Sequence, residues 1–113
     1  MTEEFKKGDI IFVENNNTTE FGIQGNDRPW LIISNNKFNR HSPVLTCAAL
    51  TTKCKASPVH MLIHREHGLP RDSYVLCEQI QTISKNHITK IICSLPDSVM
   101  TEINNLLSFQ LAL

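Results

Sequence analysis

The sequence lacks an excess of either charge and lacks a long hydrophobic run. Its 113 residues include 11 lysines and arginines against 11 aspartates and glutamates, so the chain has no overall basic field. If the protein binds a nucleic acid, it must do so through a local basic patch, one that two subunits could assemble together. The N-terminal segment MTEEFKKGD carries charges where a signal peptide needs an apolar core, and no run approaches membrane-spanning length. We expect a soluble, cytoplasmic protein that does not contact a membrane.

Cysteine spacings typical of metal sites or disulfide frameworks are also absent. The cysteines are scattered through apolar segments, with one in a lysine-flanked loop, and none has the surroundings of a catalytic nucleophile. In a reducing compartment such cysteines are most simply small core residues. The four are Cys47, Cys54, Cys77 and Cys93.

Three histidines close together raise the question of a metal site. His60, His64 and His67 lie near Cys54, but their segment is typical of a strand that runs into a turn. That geometry spreads the side chains in different directions, and no C-x-x-C or H-E-x-x-H motif accompanies them. We therefore expect no metal and no other cofactor, and we interpret the histidines as solvent-facing.

Short β-branched runs alternate with polar segments that contain glycine or proline. This pattern is typical of a mainly β protein, a small barrel or curled sheet, within a single domain spanning residues 1–113. The segments 14–27 and 35–43 are predicted to be polar connections. Strands are expected over 10–13, 30–33, 44–50, 59–63, 74–83 (long or bent) and 88–94.

The periodicity changes in the C-terminal segment. Pro96 and Asp97 suit the first turn of a helix, because proline has a fixed φ and aspartate interacts well with the helix dipole. Apolar residues then recur at helical intervals and form one stripe. We expect this helix to pack on the sheet and close its open side, which gives an α+β fold. The stripe consists of Val99, Met100, Ile103, Leu106, Leu107 and Leu111.

The stretch GNDRPWLIIS, residues 25–34, places a permanent positive charge at the entrance of a core strand. Pro29 biases the backbone of Arg28 towards extended geometry. A guanidinium held there can meet a phosphate with its fork of donors. By spacing alone, an ion pair with Asp27 or Asp9 is the simpler explanation, and the local sequence leaves both open.

Short motifs follow one another along the whole chain in a characteristic order. They are KGDI (7–10), QG (24–25), RP (28–29), SN (34–35), AALTT (48–52), RDS (71–73), LCEQIQTI (76–83) and the closing helix that ends in LAL. No single motif is specific, but the ordered set resembles the MazF/PemK family of toxin endoribonucleases over essentially the full chain.

The resemblance implies a fold and an activity. Members are SH3-like small barrels of short, mostly antiparallel strands with appended helices. They work as homodimers whose interface helps to shape an RNA groove. They cut single-stranded RNA at short sequences without a metal, and a partner antitoxin neutralises them. The same properties are the expectation for this chain.

The resemblance also implies roles for individual residues. Arg28 and Thr51 match the family's catalytic arginine and threonine. Attack by a ribose 2′-OH on its own phosphate needs charge stabilisation, positioning and proton transfer, and it leaves a 2′,3′-cyclic phosphate and a 5′-OH end. Arg28 would clamp the phosphate, and Thr51 would hydrogen-bond the phosphate or the 2′-OH. The residues expected to bind RNA are Gln24, Gly25, Pro29, Thr52, Lys53 and Gln79.

Two positions depart from the family pattern. Ile23 stands where many members carry a glutamate, and Gln81 stands where a basic residue is usual. These departures predict an altered cleavage sequence. Two other functions remain open. One is a weak or silent member that acts by binding RNA, an antitoxin or an operator complex. The other is a gyrase poison of the same fold, against which the C-terminal Leu-Ala-Leu, with no Trp or Tyr, argues.

Overall fold

The computed structural model of the chain describes residues 4–14, 28–53 and 56–113. Each β-branched run predicted from the sequence is a strand, with bounds within two residues of those expected, and the α+β class is confirmed. Two short 3-10 helices, Arg65–His67 and Lys85–His87, connect strands. The strands and α-helices are β1 (Asp9–Val13), β2 (Arg28–Ile32), α1 (Asn36–His41), β3 (Val44–Thr51), β4 (His60–Ile63), β5 (Ser73–Ser84), β6 (Ile88–Ser94) and α2 (Asp97–Leu111).

The six strands of the described ranges form one sheet in the order β4-β5-β3-β2-β1-β6. Every neighbouring pair is antiparallel. No ladder joins β4 to β6 within the described part of the chain, so the sheet is open. Of the small barrel and the curled sheet that the sequence pattern left as alternatives, the structure has the curled sheet.

The two edges of the sheet nevertheless approach each other through side-chain packing. Gly68, in the connection between β4 and β5, lies against Cys93 of β6, so closely that a Cβ on Gly68 would be 2.7 Å from the Cβ of Cys93. Leu69 is buried in the hydrophobic cluster against which Ile92 and Cys93 of β6 pack. The sheet therefore curls until its edges meet in a packed seam that contains no hydrogen-bond ladder, and this seam replaces barrel closure.

Side chains alternate between the two faces of the sheet, and each face carries its own hydrophobic cluster. On β2, Trp30 and Ile32 belong to one cluster and Leu31 to the other. We call the first the tryptophan face and the second the helix face, because α2 packs there. The tryptophan face is built from Ile11, Val13, Trp30, Ile32, Leu45, Cys47, Ala49, Leu76 and Ile83, and the helix face from Ile10, Leu31, Ala48, Leu50, Ile63, Val75 and Cys77.

Helix α2 begins at Asp97, with Pro96 as its N-cap residue. Three residues of the predicted stripe, Met100, Ile103 and Leu107, are buried on the helix face. Leu111 is 48% exposed, since the helix ends there and the next residue has a left-handed backbone. The helix packs on the sheet as predicted. None of the helices in the described ranges has the length and apolarity needed to cross a membrane.

Residues 36–41, predicted to be a polar connection, form the short helix α1. The side chain of Asn35 caps its first turn. Asn39 is the buried residue of this helix, and its Nδ2 donates to the Ser34 carbonyl at 2.8 Å. Lys85 Nζ in turn donates to the carbonyl of Asn39 at 2.6 Å. The polar side chains that suggested a loop form the hydrogen bonds that hold this helix. Because the helix has no apolar stripe, the periodicity of apolar residues could not predict it.

Strand β5 is one long strand with an irregularity. Its register with β3 pairs Ala48 with Ile80 but Ala49 with Leu76, so three residues of β5 have no counterpart in β3. The first part of β5 also pairs with β4. The sequence prediction of a long or bent strand is therefore confirmed.

Candidate functional site

The ends of β2 and β3 bring together the two candidate catalytic residues. Arg28 is the first residue of β2 and Thr51 the last of β3, and both are half-buried. The register of the two strands pairs Trp30 with Ala49. Continued by two residues, this register sets Arg28 opposite Thr51. Because side chains opposite each other share a face, both belong to the tryptophan face.

The carboxylate of Asp9, one of two that the sequence offered as partners for Arg28, is engaged elsewhere. Its Oδ2 accepts a hydrogen bond from the backbone N–H of Lys6 at 3.0 Å, and its Oδ1 accepts one from Ser94 Oγ at 2.6 Å. Among residues 4–14, 28–53 and 56–113, no carboxylate forms an ion pair with Arg28. The pairing with Asp9 is therefore wrong, and Asp27 lies outside the described residues.

The hydroxyl of Thr51 is oriented by the turn that follows it. Thr51 Oγ1 accepts a hydrogen bond from the backbone N–H of Lys53 at 3.1 Å. A hydroxyl has one donor and two acceptor sites, so this contact leaves the O–H proton available for a phosphate oxygen. Thr52 and Lys53 are exposed immediately beyond the strand.

A pocket of about 380 Å³ lies beside the same strand ends, in the seam between the sheet edges. Pro29 and Thr52, each next in sequence to a candidate catalytic residue, contribute to its lining. Lys90 and Arg71 supply positive charge, and no carboxylate occurs among the described residues that line it. Lys90 Nζ lies 6.0 Å from the centroid of the Phe12 ring, within the range of a cation–π contact.

The remaining predicted RNA-binding residues are placed differently. Gln79 is exposed in the irregular segment of β5, whereas the residue of β5 that faces Thr51 is Tyr74. The register therefore places Gln79 at the level of Ala48 and Ala49 of β3 rather than opposite Thr51. Gln24 and Gly25, together with Ile23, lie outside the described residues. The structure thus brings together Arg28, Pro29, Thr51, Thr52 and Lys53.

A histidine and a glutamate form a contact that the sequence did not reveal. The side chain of His60 is only 13% exposed, and its Nε2 lies 3.0 Å from Glu78 Oε2. Its ring centroid is 6.4 Å from that of Tyr74. The interpretation of His60 as solvent-facing is therefore wrong, because β5 pairs alongside β4 and places Glu78 against it.

The other two histidines of the cluster lie apart from His60. His64 is 57% exposed and lies 3.8 Å from a carboxylate oxygen of Asp72, and His67 follows in the 3-10 helix. Within the part of the chain that the structure describes, no three His, Cys, Asp or Glu side chains are grouped so that they could hold a metal ion.

Burial suppresses ionisation of the described cysteines. Desolvation raises the pKa of Cys47 to about 12 and that of Cys77 to about 11, with the negative charge of Glu78 adding to the latter. Burial also raises the pKa of Cys93. Thiols with such pKa values are protonated at neutral pH and are poor nucleophiles. Cys47 and Cys77 are thus core residues, as predicted, whereas Cys54 lies outside the described residues.

Sequence reasoning did not single out Lys90 or Arg71 as site residues. Lys90 reaches the pocket because β6 pairs with β1 and sets it opposite Phe12. Arg71 reaches it because the connection between β4 and β5 packs across the seam. Both placements depend on contacts between distant segments, for which the local sequence carries no signal.

Comparison with known proteins relates this geometry to a family. The family model described as "PemK-like, MazF-like toxin of type II toxin-antitoxin system" matches residues 6–111. The chain is 37% identical over 111 residues to "Endoribonuclease EndoA" of Bacillus subtilis (strain 168), covering 96% of this chain and 95% of that protein. It is 32% identical over 111 residues to "Endoribonuclease MazF" of Staphylococcus saprophyticus, covering 96% and 92%.

A solved structure has the same fold. It is described as "Endoribonuclease in complex with its cognate antitoxin from Mycobacterial species", and it superposes with a TM-score of 0.78 at 26% identity, covering 96% of this chain and 95% of that one. The family model spans nearly the whole chain, and the identity to the Bacillus protein extends over a similar length. The chain therefore belongs to the family of PemK-like, MazF-like toxins of type II toxin–antitoxin systems.

Proposed function

We propose that this endoribonuclease of the MazF/PemK family cleaves single-stranded RNA at a short sequence without a metal, and so inhibits translation and growth. The observation that carries the proposal is the register that sets Arg28 opposite Thr51, on one face, at adjacent strand ends. An arginine beside a hydroxyl donor is suited to a phosphodiester, because the two together can neutralise and hydrogen-bond its oxygens.

The chemistry proceeds through the RNA's own nucleophile. The 2′-hydroxyl gives up its proton to water as its oxygen forms a bond to the adjacent phosphorus. The bond from phosphorus to the 5′-oxygen breaks, and the leaving 5′-oxygen takes a proton from water, so no proton is gained or lost overall. The products are a 2′,3′-cyclic phosphate and a 5′-OH end. Arg28 stabilises the negative charge that builds up on the phosphate, and its fixed positive charge supplies what a metal ion would otherwise provide. The hydroxyl of Thr51 donates a hydrogen bond to a phosphate oxygen or positions the 2′-OH.

The partners follow from this activity. A homodimer would combine the positive charges of two subunits along one RNA groove, which a chain with no net charge needs. A cognate antitoxin would neutralise the toxin, and the complex would bind operator DNA. The solved relative that contains its antitoxin supports this partner. Messenger RNA as substrate implies that the protein acts in the cytoplasm.

The test is cleavage of a long single-stranded RNA, with and without EDTA, with the new ends mapped by primer extension. We expect discrete cuts that persist in EDTA. Arg28→Ala should slow cleavage by about 10²- to 10³-fold, the usual effect of removing one preorganised donor to a developing oxyanion. Unfolding stability should change by less than about 1 kcal/mol, because the half-buried side chain has no ion pair among the described residues.

The matched control is Arg40→Ala, which removes an exposed arginine of α1 that lies 4.0 Å from Glu4. It should leave the cleavage rate unchanged. If folded wild-type protein makes no cuts, the chain is a silent family member that acts by binding. If Arg28→Ala cuts as fast as the wild type, the role assigned to Arg28 is wrong.

A further inference from the structure

We propose that the pocket in the seam binds one nucleotide of the RNA substrate, next to the phosphate that is cut, and thereby helps to set the cleavage sequence. We call it the Lys90 pocket, lined among others by Phe12, Pro29, Thr52, Arg71 and Lys90. The proposal rests on the proposed function, because it assigns a subsite to the same substrate.

The size and lining of the Lys90 pocket suit a nucleotide. Its volume of about 380 Å³ falls within the range of small-molecule sites, roughly 300–1,000 Å³. The walls are mostly apolar, and Leu69, Ile92 and Phe12 contribute to them. Bases splayed from a single strand are bound by such surfaces, because every base has an apolar face that stacks on rings and apolar side chains.

The charges of the Lys90 pocket match an RNA backbone. Lys90 and Arg71 are both exposed and both line it, whereas no described lining residue is acidic. In a chain whose opposite charges balance, two cations that line a pocket without an acidic lining residue form a local positive site. Asp72 follows Arg71 in sequence but does not line the pocket, and its Oδ1 accepts a hydrogen bond from the backbone N–H of Arg65 at 2.7 Å. The hydroxyl of Thr52 adds a neutral donor and acceptor that could contact a base edge.

The position of the pocket connects it to the candidate catalytic residues. Pro29 directly follows Arg28, and Thr52 directly follows Thr51. Successive strand residues point to opposite faces, so Arg28 and Thr51 lie on the tryptophan face while the pocket lies on the helix face of the same strand ends. An RNA strand that crosses these ends can therefore place its phosphate on one face and the neighbouring nucleotide on the other.

An acidic peptide of a protein partner is the competing occupant. It would also find two cations and an apolar wall. The continuity of Pro29 and Thr52 with Arg28 and Thr51 favours RNA, because a substrate held at the cut phosphate must extend past these residues.

The first experiment measures sequence preference. Wild type, Lys90→Gln and Arg71→Gln are each incubated with a pool of single-stranded RNA randomised around a mapped cut, and the products are sequenced. Both changed residues are exposed, so the variants should fold, which thermal unfolding checks. We expect Lys90→Gln to weaken the preference for the base at one position beside the cut. Lys37→Gln, which neutralises an exposed lysine of α1, is the matched control and should cut like the wild type.

The second experiment measures binding without cleavage. The probe is an RNA that carries the mapped sequence with a 2′-deoxy nucleotide at the cut, and its Kd is measured over a range of salt. We expect Lys90→Gln to raise the Kd by about 3- to 10-fold and to reduce the slope of log K against log salt by about 0.7, the value for one lost phosphate contact to a single strand. Lys37→Gln should change neither.

The outcomes separate this proposal from the proposed function. If the wild type makes no cuts, the proposed function fails, and a random single-stranded RNA in the binding experiment still decides the pocket. If the wild type cuts but Lys90→Gln and Arg71→Gln match Lys37→Gln in both experiments, the pocket proposal is overturned while the function stands. If the two variants bind the RNA probe like the wild type but bind a polyglutamate peptide more weakly in the same Kd measurement, the pocket belongs to a protein partner and the RNA proposal is likewise overturned.

Discussion

Replacing Gly68 by alanine tests whether the packed seam holds the curled sheet together. Gly68 follows the 3-10 helix Arg65–His67 and has a φ of +115°. A residue with a side chain is strained in this left-handed backbone conformation. That strain costs about 1–2 kcal/mol for an L residue. The added Cβ would also meet the Cβ of Cys93 at 2.7 Å, and relieving such a contact in a packed core costs about 1–3 kcal/mol. We expect Gly68→Ala to lower the free energy of unfolding by about 2–5 kcal/mol.

Gly8→Ala provides the matched control. Gly8 also has a left-handed backbone, with a φ of +98°, but its nearest side-chain atom is the flexible Met100 Cγ at 3.4 Å. The free energy of unfolding of this variant should fall only by the cost of backbone strain, about 1–2 kcal/mol. Urea denaturation followed by circular dichroism gives both free energies of unfolding, and their difference isolates the contact across the seam.

A double mutant identifies the partner of that contact. Cys93→Gly removes the Cβ that the new alanine would meet. Cys93→Gly should therefore lower the free energy of unfolding less in the Gly68→Ala background than in the wild type. The coupling should be about 1–3 kcal/mol, which reflects relief of the same contact. If Gly68→Ala costs no more than Gly8→Ala, or if the two changes at the seam add independently, the edges of the sheet do not meet as described.

Two further predictions concern the buried polar group and the buried thiol. Asn39→Ala should lower the free energy of unfolding by about 2–4 kcal/mol, because the Ser34 carbonyl and hydroxyl both lose a buried partner; urea denaturation should show no such loss for the exposed Asn104→Ala. The pKa of Cys47, raised by burial to about 12 from an ordinary value of 9.0, predicts a loss of stability in alkali. Below pH 9 the thiol is protonated in both states, but from pH 9 to 12 only the unfolded chain loses the proton, so stability falls as pH rises, by on the order of 4 kcal/mol in total. Cys47→Ala should therefore reduce the fall of the free energy of unfolding between pH 9 and 12 by up to about 1.4 kcal/mol per pH unit. If the variant loses stability with pH as steeply as the wild type, the Cys47 thiol does not cause the loss.

The strands and α2 could be predicted from local sequence because their signals are local. The run Trp30–Ile33 is apolar over the length of a strand, and the spacing of Met100, Ile103 and Leu107 matches one face of a helix. Helix α1 could not be predicted in this way. Its stability depends on Asn39, whose hydrogen bonds reach outside the helix to Ser34 and replace the apolar stripe on which a prediction relies.

The candidate site could likewise be predicted only in part. Arg28 and Thr51 were chosen from the family resemblance, and the register of β2 and β3 sets them opposite each other. Gln79, by contrast, is one of three residues of β5 that have no counterpart in β3, and no residue type in the strand predicts this irregularity. The contact of His60 with Glu78 likewise depends on how β4 pairs with β5, and pairing between strands is a property of the whole fold.

The pairing of β1 with β6 also bears on how the protein is made. Ser94 Oγ donates to Asp9 Oδ1 across 85 positions of sequence, and the backbone N–H of Leu95 donates to the Gly8 carbonyl beside it. Contacts between such distant segments require a large loop to close, which makes folding slow, typically milliseconds to seconds for β-rich domains. During synthesis β1 can pair with β2 early, but its other edge stays unpaired until β6 has left the ribosome, so the sheet that supports the strand ends is completed only after β6 has been translated.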